Sequence, residues 1–400
     1  MPAVTIRFAE EELTLALPDG VLRHPRGGLP AEPLADVRTA ATEALNEPLE
    51  FPPLYRALTP DDRVAIVVRE ELACVAALLD AVMDHLERAG ISPSAVTLVV
   101  PPRAYRHLPD WRGKHCQLKL EVHEPGNASR LAYLASTKAG RRVYLNRTVV
   151  DADQVVIIGR AGFDPLFGYS GGLADLFPLL SDQATRHEFF QRPSQMKTGQ
   201  PQGLAEAETE EVGWLLGLPL FVQALETSQD RLSHVVAGTA APVRAQTCAL
   251  LNRHARYSAL NADLVIATLT GAGQRQTLGD VAAALETASR VVRPGGRIVV
   301  LSRAQPELSA GFEMLRNART PERGLSQARQ ADAPDAVSLW QWLCALQHAK
   351  VTLLSGLAAE VAEELFVTPM DHPGQLARLA EGAESVLVIP DAHRCLVQLT

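Results

Sequence analysis

The chain has 400 residues, 47% of them apolar and 21% charged, with a net charge of −8 and a mean hydropathy near zero. That composition excludes a disordered, collagen-like or coiled-coil protein and is large enough for two or three domains. With 46 acidic residues against 38 basic ones and no lysine–arginine cluster, no nucleic-acid footprint is expected.

The longest apolar stretch, Leu72 to Met83, is 12 residues long and contains Asp80. A membrane-spanning helix needs ~20, so no membrane partner is expected. Met1-Pro2-Ala3-Val4-Thr5-Ile6-Arg7 lacks a basic segment followed by an apolar run, so no signal peptide is read. Cys74, Cys116, Cys248, Cys344 and Cys395 are dispersed, with no C-x-x-C pair. Both features point to reduced thiols and a cytoplasmic protein.

Val4–Phe8 and Leu13–Leu17 alternate with period two and predict a hairpin. A short helix is expected over 35–46, ended by Pro48 and Pro52-Pro53. Val64–Val68 is a continuous apolar run, the pattern of a strand covered on both faces. Leu72, Val75, Leu79, Val82, Met83 and Leu86 then share one helical face, with Gly90 as the stop. Strands follow at Val96–Val100, Leu118–Val122 and Gln154–Ile158. Residues 193–245 read as a less regular connecting region, and the acidic run Glu206–Glu211 as a solvated helix face.

The rhythm restarts with a strand at Asp263–Thr268 and a helix from Leu278 to Val292, stopped by Pro294-Gly295-Gly296. The strand Arg297–Leu301, helices near 335–348 and 373–381, and strands Val351–Leu354 and Ser385–Ile389 complete it. Strand–helix–strand repetition predicts an α/β protein with mostly parallel sheets. Two α/β domains facing across a cleft are expected, residues 1–245 and residues 246–400.

Ligands of such sheets bind beyond the carboxyl ends of strands. After strand 154–158 comes Gly159-Arg-Ala-Gly-Phe-Asp164, then Gly168-Tyr-Ser170-Gly171-Gly172. Glycines beside a serine let backbone N–H groups approach an anion, and Asp164 adds a carboxylate. The plain alternative is a glycine-rich turn with a capping residue. Gly271 and Gly273 begin a second loop like a dinucleotide fingerprint, but its third glycine is replaced by Gln276. His107, His115 and His123 fall on different elements, and no metal-binding spacing of histidines, nucleophile elbow or P-loop is present.

Arg293-Pro294-Gly295-Gly296-Arg-Ile-Val-Val-Leu resembles the late strand of class I SAM-dependent methyltransferases, which makes a methyltransferase one reading. Their acidic-x-Gly-x-Gly loop has no counterpart in Val68-Arg-Glu-Glu-Leu-Ala. A wider resemblance, over most of the chain, is to the LarA-type lactate racemase family, whose members use a nickel-pincer nucleotide. It is densest from Leu131 to Asp153 and in Gly168-Tyr-Ser170-Gly171-Gly172, with Pro178 and Thr185 at the family spacing and His123-Glu-Pro resembling its His-Asp pair. The resemblance implies two α/β domains facing across a cofactor-holding cleft, with His123, Ser170, Gly171, Gly172, Gly271 and Gly273 as candidate ligand-binding residues.

Against the family pattern, the lysine that tethers the nucleotide falls on Ala174, and the nickel-binding histidine on Phe190. One catalytic histidine falls on Asp164; the other is nearest His107, offset within Pro101–His107. The family's Asp-x-x-Arg falls on Arg69 and Leu72, and its Tyr-Pro-x-Asp-Gln on Gln274–Leu278. Racemisation by hydride transfer needs a cofactor carbon, a metal to position it and two bases. The expectation is therefore a diverged homologue and pseudoenzyme, not holding the pincer nucleotide in the family's way, that binds a small anionic metabolite or nucleotide in the cleft. The alternative is an isomerase, a 2-hydroxyacid racemase or epimerase with substituted residues, using Asp164 and His107. His187, three residues before Phe190 on a predicted helix, is the one residual metal-ligand candidate.

Overall fold

The computed structural model describes residues 3–69, 72–101, 111, 115–164, 168–192, 206–217, 219–305, 307–328 and 335–400. The N-terminal hairpin forms as its alternation requires, from β1 (Ala3–Phe8) and β2 (Glu11–Ala16). Helix α1 (Val37–Asn46) is capped by Asp36, whose carboxylate accepts the Thr39 N–H at 3.1 Å. Then come β3 (Val64–Val68), α2 (Val75–Arg88), β4 (Val96–Val100), β5 (Lys119–Val122) and β6 (Gln154–Asp164). Helix α2 starts three residues later than its apolar periodicity begins, because Cys74 takes a left-handed conformation at φ 55°.

Helices α3 (Gln183–Gln191) and α4 (Glu206–Leu216) precede two strands, β7 (Leu220–Thr227) and β8 (Arg231–Gly238). These two strands correct the expectation of an irregular connector over 193–245. They are full members of the first sheet, and β7 is buried along most of its length. Helix α5 (Ala240–His254) follows. The main path of the sheet is β8-β7-β6-β3-β4-β5, parallel except where β8 runs antiparallel to β7, and off this path the short strand Gly168–Ser170 pairs antiparallel with the end of β6. All five residues of β3 are buried, as expected for a strand with apolar layers on both faces.

The second sheet is built on β9 (Ala262–Thr268), which is followed by α6 (Leu278–Ser289) and then β10 (Val292–Leu301). After these come α7 (Ala336–His348), β11 (Lys350–Leu354) and β12 (Val386–Ile389). Its strands are all parallel: Thr368–Pro369, β11, β10, β9, β12 and Leu22–Arg23. Pro294-Gly295-Gly296 sits within β10, where the register to β9 shifts. The predicted stop is thus a bulge, which the positive φ of Gly295 (75°) permits. The N-terminal hairpin buries Ile6, Phe8, Leu15 and Leu17 against Leu264, Ile266, Val299 and Leu301 of the second sheet. The mixed α/β class with mostly parallel sheets matches the sequence expectation. No helix among the described residues is long and apolar enough to cross a membrane.

Each sheet changes strand order at one place, between β3 and β6 in the first and between β9 and β12 in the second. At such a switch point the loops leaving two neighbouring strands diverge and open a crevice. The core of the second sheet is anchored by Trp342, which is fully buried, stacks edge-on to Phe312 at 5.3 Å and donates its indole N–H to the Leu365 carbonyl at 3.0 Å. Trp342→Ala should cost about 3–5 kcal/mol from the cavity and the lost bond. Urea denaturation at neutral pH measures this as a lower midpoint with an unchanged slope.

Candidate functional site

The loops leaving the two switch points face a common cleft of ≈ 360 Å³. Its walls come from Arg160–Phe163 at the end of β6, from Leu225–Gln229, Arg231 and Ser233 around the β7–β8 turn, and from Pro390–Cys395 after β12. His254 and Tyr257, at and beyond the end of α5, close one side.

An ion cluster crosses the base of the cleft. Glu226, with 1% of its side chain exposed, contacts Arg160 at 3.1 Å and Arg394 at 3.3 Å, and lies 4.0 Å from Arg275. It also accepts the Ala73 N–H at 2.6 Å. Burial opposes its ionisation, but Arg160 and Arg394 outweigh that and hold the carboxyl below its ordinary range. Four residues on, Asp230 pairs with Arg394 at 3.0 Å and Arg275 at 3.8 Å. Arg394 also donates to the Thr227 carbonyl at 2.8 Å.

Asp230 reaches into the loop after β9. Its carboxylate accepts the Ala272 N–H at 2.9 Å. Gly271, at φ +95°, leaves that approach open, since a Cβ there would lie 2.5 Å from the carboxylate. Asp391 takes the Thr270 N–H at 3.0 Å and its hydroxyl at 2.6 Å, and also receives the Ser228 hydroxyl at 2.6 Å. The backbone N–H groups of Thr270 and Ala272 thus face carboxylates of the chain itself, that of Gly271 donates to the Ala9 carbonyl at 3.1 Å, and Gly273 is packed against Arg303.

Arg231 differs from the other cleft arginines. Its side chain is exposed and makes no hydrogen bond or ion pair with another described residue. His393 lines the same wall with a buried Nδ1 that has no partner. Burial, reinforced by Arg394, lowers its pKa to about 3, so the imidazole is neutral. Burial pushes the Tyr257 hydroxyl up to about 12, which keeps it protonated.

At the first switch point, Asp175 is almost fully buried, pairs with Arg69 at 3.0 Å and lies 3.5 Å from the Gln223 amide. Burial raises its pKa and Arg69 opposes the rise. Ser170 borders the cleft and, with Gly171 and Gly172, also lines a second chamber of ≈ 420 Å³ behind the loop. Asp164 ends β6, paired with Gly168, and its neighbour Phe163 reaches the cleft wall.

The other sequence candidates lie elsewhere. His123 is fully buried; its Nε2–H donates to the Ser181 carbonyl at 3.0 Å and its Nδ1 has no partner. It lines neither cavity. His187 and Phe190 are half-buried on α3, and the Arg186 guanidinium lies 5.6 Å from the Phe190 ring. Ala174 packs beside the apolar core and borders the chamber. His107 is outside the described residues.

Arg160, Glu226, Asp230, Arg231, Asp391, His393 and Arg394 were not singled out by sequence. For Asp391 to Arg394 a signal existed, because they directly follow the predicted strand 385–389, where ligand loops of parallel sheets sit. Glu226 to Arg231 were hidden in the stretch taken for a connector.

Burial, with Arg186 as the next cause, lowers the pKa of His123 to about 4. Between pH 6.5 and 4 the unfolded chain binds a proton that the folded one refuses. His123 therefore subtracts nothing above pH 6.5 and costs stability increasingly as pH falls toward 4, by roughly 3 kcal/mol at the end. Denaturation midpoints over this range should fall with acid in the native protein and fall less steeply in His123→Gln.

Four similarities to known proteins bear on this arrangement. Residues 8–196 match the family model for the lactate racemase N-terminal domain. The lactate racemase of Thermoanaerobacterium thermosaccharolyticum is 19% identical over 436 aligned residues, spanning 100% of both chains. The structure of that racemase's apoprotein superposes with a TM-score of 0.81 at 17% identity, covering 99% of this chain and 100% of the other. A protein from Thermotoga maritima superposes with a TM-score of 0.69 at 12% identity, covering 93% of this chain and 100% of that one.

Proposed function

We propose, from the premise that this chain belongs to the LarA-type lactate racemase family, that it binds a small carboxylate or phosphate in the cleft between its two sheets and does not racemise lactate. The charge on the cleft wall carries this reading. Arg231 has no carboxylate partner among the described residues, and the neutral His393 lines the same cleft and adds no competing charge. An anion there gains a charge-assisted hydrogen bond from the guanidinium. Glu226 and Asp391 do not compete for Arg231, because each is already engaged by other groups.

The nickel-pincer nucleotide does not fit the residues present. Ala174 offers a methyl group where a lysine nitrogen would form the tether, and it packs beside the core. Phe190 offers no lone pair to nickel, and its ring faces Arg186. Among the described residues no three His, Cys, Asp or Glu side chains converge to hold a metal. His187 alone makes too few of the three or four donors that such an ion requires.

Calorimetric titration with L-lactate, 3-phosphoglycerate and AMP tests the binding reading. At least one should bind with saturation, and Arg231→Ala should weaken it about tenfold or more, since a bond to a charged donor contributes ~1.5–3 kcal/mol. Failure of all three, or an unchanged affinity in Arg231→Ala, removes the reading. Polarimetry of D- and L-lactate with added nickel-pincer nucleotide should show no interconversion above a protein-free control. Turnover there would instead favour a 2-hydroxyacid racemase with substituted residues.

A further inference from the structure

Behind the Ser170–Gly172 loop lies the chamber of ≈ 420 Å³, enclosed by α4, the first turn of α5 and β7. Leu173, Val243 and Trp214 make its apolar wall, and the Arg244–Glu206 ion pair at 2.5 Å stands at its rim. Trp214 is 78% exposed, which is unusual for so large an apolar ring.

Two independent features inside it call for a ligand. The first is Gln223 on β7, which is 1% exposed and lines the chamber. Its Nε2 faces Asp175 at 3.5 Å, while its Oε1 has no hydrogen-bond partner. A buried acceptor without a donor costs about 1–3 kcal/mol. Gly171, at φ +92°, keeps space before that oxygen, since a Cβ there would come within 2.3 Å of it. The second is the N-terminus of α5, a helix of 15 residues. Thr239 caps it without a side-chain hydrogen bond, and Ala240 and Ala241 line the chamber. Pro242 has no N–H and the Val243 N–H bonds the Thr239 carbonyl, so the N–H groups of Ala240 and Ala241 are the first-turn donors without a partner in their own helix, and they favour negative charge.

We infer that this chamber binds a small organic acid with a flat apolar body and one N–H or O–H donor. The carboxylate lies at the first turn of α5, the body against Leu173 and Trp214, and the donor on Gln223 Oε1. The chamber holds a molecule of modest size, as its volume lies near the lower end of ordinary ligand pockets. This site is separate from the cleft and does not depend on the reading given for it.

Calorimetry on the full chain tests the inference with indole-3-acetate as the probe and 1-methylindole-3-acetate as its donor-less match. The native protein should bind indole-3-acetate with 1:1 saturation and at least fivefold more tightly than the methylated form. Gln223→Leu should abolish that preference by removing the acceptor. Ala241→Trp replaces an exposed helix residue, so it should fold, and its ring should block both ligands. Far-ultraviolet circular dichroism checks the fold of each variant. The inference is overturned by absence of saturable binding to the native protein, by equal affinity for the two indoles, or by persistence of binding in Ala241→Trp. Loss of binding in Arg231→Ala would place the probe in the cleft and overturn it as well.

Discussion

The two sheets are held in register by carboxylates of one half buried among arginines of the other. Glu226 and Asp230, on the turn between β7 and β8, meet Arg394 after β12 and Arg275 after β9. Removing such charges from water is costly, and the cost is recovered only when each has several close partners. Here Glu226 has Arg160 and Arg394 as well as a backbone N–H. That geometry exists only when the turn sits against the ends of β9 and β12. The cleft follows from it, because its floor is this cluster and its walls are the loops the cluster brings together.

The same interaction sets which backbone donors remain for a ligand. A loop after a parallel strand is a natural place for an anion. In the second sheet that place is taken by Asp230 and Asp391. In the first sheet, Arg69 at the end of β3 is turned to buried Asp175. Among the described arginines that line the cleft, Arg231 has no carboxylate partner.

The Ser170–Gly172 loop separates two cavities of different character. On the cleft side lies the buried ion cluster, and on the chamber side an apolar wall of Leu173, Trp214 and Val243 with one orphaned amide oxygen and charged residues including Glu206, Glu210 and Arg244. Glycine at 171 is needed because the loop passes between Gln223 and the carbonyl of Arg160, 2.3 and 2.8 Å from where a side chain would begin. Neither polar group could stay where it is beside a larger residue.

Sequence alone determined the elements whose signal is local. The continuous runs at 64–68, 96–100 and 386–389 are buried strands because apolar residues without alternation are stable only with cover on both faces. The periodic face of 75–88 made α2, and the Ser-Gly-Gly loop was legible because glycine beside serine after a buried strand is a local signature. That residues 174 and 190 are Ala and Phe, without an amine or a metal-binding lone pair, was also visible, since a missing functional group needs no coordinates. Tertiary structure alone decided the rest. Strands β7 and β8 hold polar residues such as Gln223, Glu226 and His234, which read as a connector until their partners are known. Glu226 and Arg394 are 168 residues apart in the chain, and Asp230 and Gly271 are 41 apart. No local pattern encodes pairs at such separations, because their energy depends on the low-dielectric contact that folding creates.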